Sequence, residues 1–132
     1  MHPLRPAFVP ALLALLAACA QDPPPAESEF ASILQQVEIP ANLAAGEAVF
    51  NENCAVCHGG RGLGTSQGPP LVHIIYEPNH HADIAFYMAV DRGVRAHHWR
   101  FGDMAPLPNV SNEEVGQIVE YVRFLQRQVG IR

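Results

Sequence analysis

The stretch Cys54-Ala55-Val56-Cys57-His58 places two thiols three positions apart, with an imidazole directly after the second. On one turn near the end of a helix, thiols at that spacing both reach the edge of a single flat ring and add across its two vinyl groups as thioethers. The next residue is then carried beneath the metal at the ring's centre, where an imidazole nitrogen serves as ligand. This is the chemistry of covalent haem attachment, and one pentapeptide fixes both macrocycle and iron.

Two other chemistries use a C-x-x-C pair. A thiol redox motif wants a βαβ pattern around it, and the strand-poor sequence from Asn42 to Gly68 supplies none. A zinc site wants a second ligand pair; there is no second C-x-x-C or matching H-x-x-x-H, and the remaining cysteine, Cys19, lies far upstream in an apolar leader. The glycine run Gly59-Gly60-Arg61-Gly62-Leu63-Gly64 lacks the Gly-Lys-Ser/Thr ending of a phosphate loop, so its glycines are read as letting the backbone hug the ring edge.

The elements that must position this motif are helical. Asn42 reads as the N-cap of a first helix running through Glu52, with Gly46 offering close approach to another helix. A middle helix is predicted over His81 to Asp91, capped by Asn79 or a neighbour and closed by Gly93 in the left-handed conformation. Ser111-Asn112-Glu113-Glu114 is a capping box, Val110 can staple to Val115, and Val115, Ile118, Val119, Val122 and Leu125 form the stripe of a last helix ending at Gly130. From about Ala41 onward the chain reads as one small domain of roughly 90 residues. Its modest apolar core makes a buried cofactor structural as well as functional.

Beyond the pentapeptide, Gly68-Pro69-Pro70-Leu71 makes the chain resemble a class I cytochrome c domain over about Asn42 to Arg127. The resemblance implies an all-α fold of three main helices plus loops around one haem c, with the terminal helices crossing. It also implies that the Pro69 carbonyl accepts from Nδ1–H of His58, and that Leu71 packs on the haem face. Met104 lies in Gly102-Asp103-Met104-Ala105-Pro106-Leu107-Pro108, the kind of loop that in this family presents a thioether to the open side of the iron. The family's usual order puts proline directly after that methionine, whereas here Ala105 intervenes. The iron ligands expected are His58 and Met104; the other candidates for the second place are Met88, which at helical spacing reads first as core packing, and His97 or His98.

Trp99 and Arg100, with Arg95, His97 and His98, stand before the Met104 loop as donors for the haem propionates, and Arg61 is a further candidate. His73, His80, His81, His97 and His98 exceed what one haem needs. Neighbours in a pair point to different sides of an extended chain, so one histidine from each pair is the expected contribution to any second site, for copper or zinc.

Residues 1–18 read as a signal peptide: Arg5, an apolar run Ala11 to Ala18, then Leu16-Ala17-Ala18-Cys19, which resembles a bacterial lipoprotein box with Cys19 lipidated. Residues 19–40 read as a lipidated anchor and flexible, proline-rich tether, with a short docking helix possible over Phe30 to Ile39; residues 41–132 form the haem domain. The formal net charge is -5 and lysine is absent, which argues against nucleic acid as a partner. These readings converge on a membrane-tethered, periplasmic-side carrier of single electrons between redox proteins, not an enzyme, with no small-molecule substrate. The alternative is a haem-based sensor or enzyme subunit with a labile distal ligand, or one bearing the extra histidine-rich metal site.

Overall fold

Phe30, Leu34 and Val37 recur at helical spacing, and in the computed structural model, which describes residues 25–132 and side chains from residue 29, they belong to helix α1 (Pro25–Gln36) and the turn after it. Leu34 is fully buried, and Phe30, Val37 and Ile39 pack on the same core. Residues 25–36, read as the end of the tether and the start of a short docking helix over Phe30 to Ile39, form a helix that packs on the core. Pro25 takes the first position of the helix, where a missing N–H costs nothing. Arg61 locks the segment down: its guanidinium donates to the carbonyl oxygens of Leu34 and, at 2.9 Å, Val37, which close the end of α1. The leader 1–18, Cys19 and the start of the tether lie outside the described residues.

A 3-10 turn over Ala41–Leu43 leads into α2 (Ala44–Asn53), so Asn42 lies inside that turn and is not an N-cap. One further turn, α3 (Ala55–His58), follows a kink at Cys54. The middle helix α4 spans Ile84–Arg92, beginning three residues later than its apolar pattern suggests. Residues 77–81 form a turn in which the N–H groups of His80 and His81 both donate to the Glu77 carbonyl, which holds them out of the helix. Gly93 ends α4 at φ 74°, with ψ of -176° rather than the left-handed helical value. The last helix, α5 (Asn112–Gln128), has the full capping box: Ser111 N–H donates to Glu114 Oε2 at 2.7 Å, and Glu114 N–H to Ser111 Oγ at 3.3 Å. Among the described residues strand pairing is confined to one bridge, Val94 with Met104.

The core lies where α5 packs on α2. Phe50 and Tyr121 meet at 5.5 Å between ring centroids, and burial, reinforced by the nearby Glu47 carboxylate, pushes the Tyr121 phenol up to about 12. Gly46 makes this approach feasible, because a Cβ there would stand 2.2 Å from the Gln117 carbonyl oxygen and 3.2 Å from Tyr121 Cβ. The obstacle is backbone and cannot rotate away. Gly46→Ala is expected to destabilise the fold by about 2 kcal/mol despite the roughly 1 kcal/mol that alanine gains in helix propensity. Thermal melts of the haem-loaded protein check this; an unchanged or higher midpoint would show that the helices do not need that approach.

Candidate functional site

Cys54 and Cys57 flank one helical turn, so their side chains rise on the same side of it, and His58 closes that turn. Both cysteines are half-buried free thiols. Burial first, and the neighbouring Cys57 second, push the Cys54 thiol up to about 11. A thiol redox pair requires a depressed value, so this environment speaks against that chemistry. Burial also pulls His58 down, and its bond to the Pro69 carbonyl pulls the other way.

His58 Nδ1 lies 2.8 Å from the Pro69 carbonyl oxygen. Since a carbonyl only accepts, Nδ1 carries the proton and the lone pair is left on Nε2, the state a metal ligand needs. The loop that delivers Pro69 is held by close approach: a Cβ on Gly68 would stand 2.9 Å from the Cys57 carbonyl oxygen, and Leu71 N–H donates to the Gly62 carbonyl at 2.8 Å.

Cys54, Cys57, His58, Pro69, Leu71, Trp99 and Met104 all line one cavity of about 650 Å³. That volume falls within the roughly 300–1,000 Å³ of sites that enclose small molecules and cofactors. Met104 is half-buried in the wall, held by reciprocal 2.9 Å hydrogen bonds between its backbone and that of Val94. Met88 lines the same cavity from α4 but is 48% exposed.

The donor set fits an acidic, largely apolar ring system. Trp99 Nε1 is buried with no acceptor in hydrogen-bonding geometry among the described residues, although the Tyr76 phenol is a near neighbour. A buried N–H without a partner costs about 1–3 kcal/mol, and a carboxylate of a bound group would satisfy it. Arg95, His97 and His98 also line the cavity, whereas Arg100 is exposed and outside the lining. Arg61, spent on α1, is no carboxylate donor for the ring.

The histidines separate into two groups. The His73 ring accepts from Ile75 N–H at 3.2 Å and packs edge-on against Trp99 at 5.0 Å, steadying the indole. His80, His81, His97 and His98 gather instead at the cavity rim, and the two members of each sequence pair turn to the same side, contrary to the extended-chain expectation. Residual desolvation, then the like charge of His97, His81 and His80, holds His98 below its ordinary value.

Sequence reasoning missed Arg123. It sits on the buried side of α5, four residues beyond Val119, with its guanidinium donating to Tyr76 O at 2.6 Å, to Gln126 Oε1 at 2.7 Å, to Asp83 Oδ1 at 2.8 Å and to His81 O. Gln126 adds bonds to Leu71 O at 2.8 Å and Tyr76 O at 3.1 Å. The pair ties residues 71–83, part of the cavity wall, to the terminal helix. The available signal was an arginine and a glutamine, Arg123 and Gln126, at stripe positions of a largely apolar helix face.

The family model described as Cytochrome c matches residues 43–126. The chain is 30% identical over 98 positions to a Cbb3-type cytochrome c oxidase subunit CcoP of Azospirillum brasilense, covering 65% of this chain and 32% of that subunit. The chain thus spans about a third of the length of that curated relative. No solved structure matches it.

Proposed function

From the premise that the chain belongs to the cytochrome c family and carries haem c, we propose that the haem is held at Cys54, Cys57 and His58 and that the protein is a membrane-tethered, periplasmic-side carrier of single electrons. The observation that carries the reading is the 2.8 Å bond from His58 to Pro69 in the wall of a cavity that Met104 also lines. When bound, haem c supplies an iron centre that takes up and releases one electron. Cys54 and Cys57 would hold the ring through thioether links. His58 offers Nε2 to the iron while Pro69 keeps its proton on Nδ1. Met104, in the same cavity wall, would offer its sulfur to the iron as the other protein ligand, leaving the site to electron transfer rather than to a substrate. Its soft sulfur and the largely apolar lining favour the reduced state and a comparatively high potential. Trp99 Nε1 and Arg95 would bind the propionates, and Leu71 would pack against the ring.

The leader and Cys19 support export and attachment through lipid; among the described residues no helix is long and apolar enough to cross a membrane. The oxidase-subunit relative supports respiratory redox proteins as donor and acceptor.

Potentiometric titration of the haem-loaded protein is expected to give one reversible one-electron wave, and the ferrous form is expected to leave carbon monoxide unbound. The exposure of Gly102, Asp103, Ala105 and Pro106 around Met104 favours a second reading, a sensor or enzyme subunit from which the thioether departs. Stoichiometric carbon monoxide uptake by the unmutated protein would select that reading and overturn the carrier.

A further inference from the structure

We propose that His80, His81 and His98 form a second metal site, for an imidazole-preferring divalent cation, copper(II) or zinc(II), at the rim of the haem cavity. One ring nitrogen from each lies within 4.8 Å of the others. The four rings of the cluster stand 4.3 to 5.9 Å apart between centroids in the pairs that touch. Nothing in the haem site requires so many imidazoles to face one another, and a bound cation turns their crowding into ligation.

His81 is the fixed point. Its Nδ1 lies 2.7 Å from the Ile75 carbonyl oxygen, so Nδ1 carries the proton and Nε2 is free to ligate. This is the same arrangement that His58 has with Pro69, a backbone carbonyl setting the tautomer of a metal-binding imidazole. The backbone is anchored as well, because the His81 carbonyl accepts from the buried Arg123 guanidinium. His80 and His98 are exposed and free to turn about their side-chain torsions. With metal–nitrogen bonds of about 2.0–2.1 Å, ligand nitrogens stand no more than about 4.2 Å apart, so closure asks these two rings to move by roughly an ångström. His97, whose Nδ1 is likewise held 2.8 Å from the Arg95 carbonyl, leaves its Nε2 available as a fourth ligand beside water. The all-imidazole set suits copper(II) and zinc(II), whereas magnesium and calcium prefer oxygen ligands.

The test is a calorimetric titration of zinc(II) into the haem-loaded protein above the imidazole titration range, with a parallel copper(II) arm read by electron paramagnetic resonance. One saturable zinc equivalent per chain is expected, and the copper signal should carry hyperfine structure from at least three nitrogens. His80 lies outside the cavity lining, so His80→Ala should keep the haem absorption spectrum while weakening metal binding at least tenfold; His98→Ala should weaken it likewise. Absence of saturable binding at one equivalent in the unmutated protein, or a loss below tenfold in both variants, overturns the site. Failure here leaves the carrier reading standing, because neither variant touches His58 or Met104.

Discussion

Met104→Ala is expected to abolish the long-wavelength charge-transfer absorption of a thioether bound to ferric iron, to let the ferrous protein bind carbon monoxide, and to lower the reduction potential. On the order of 0.2 V is expected, a quarter of the roughly 0.8 V range that axial ligation spans. The reason lies in how the residue is held. Its N–H and carbonyl both bond to Val94 at 2.9 Å, and Leu107, three residues on, donates to the Val90 carbonyl at 2.8 Å. A backbone fixed at both ends of a short irregular loop can keep a weak sulfur ligand in place without the entropy cost that a mobile loop would add. Met88 lacks such restraint on its side chain, being 48% exposed on α4. Met88→Ala should therefore leave the band, the potential and the inertness to carbon monoxide unchanged. Absorption spectra and potentiometry of both variants check this; a vanished band in Met88→Ala with a retained one in Met104→Ala would transfer the ligand role.

What was legible beforehand follows from how local the signals are. The capping box at Ser111 and Glu114 involves residues three apart, and the Gly46 approach needs only the absence of a side chain on one helix face; both are present. The bond between His58 and Pro69 spans eleven residues and came from the family's pattern rather than from local grammar. What escaped depends on longer closure or on turn geometry. Arg61 reaches back 27 residues to the end of α1, a contact no periodicity announces, so the helical spacing over Phe30 to Ile39 was legible but what the helix docks on was not. His80 and His81 turn to one side because both N–H groups share the Glu77 carbonyl, and that turn also delays α4. Asp83, which precedes α4 at φ -53° and ψ -35°, has helical dihedrals and makes no side-chain cap bond; its Oδ1 instead accepts from Arg123, 40 residues later.

The same arginine sets the largest stability effect outside the cofactor. Arg123→Met keeps an unbranched apolar stem but removes the guanidinium, whose carbon now lies 5.1 Å from the Phe86 ring centroid, and with it every donor. Replacing a buried ion pair with a hydrophobic residue is often harmless when both charges leave together. Here two of the four acceptors are main-chain carbonyls, which no substitution removes. Tyr76 O retains Gln126, whereas His81 O loses its donor and the Gln126 side-chain oxygen loses its own. Each stranded acceptor costs about 1–3 kcal/mol. The Asp83 partner is largely solvated and adds little. A total loss of about 3 kcal/mol is expected, a fall of more than about 10 °C in melting temperature for a domain of this size. Arg123→Lys should recover only part of it, because one ammonium cannot serve four acceptors lying around a planar fork. Hydrogen exchange separates this from a uniform weakening: protection should drop first over residues 71–83, the wall that Arg123 and Gln126 suspend. Equal loss across α2 and α5 would mean that the arginine only contributes to the core and does not hold the site in shape.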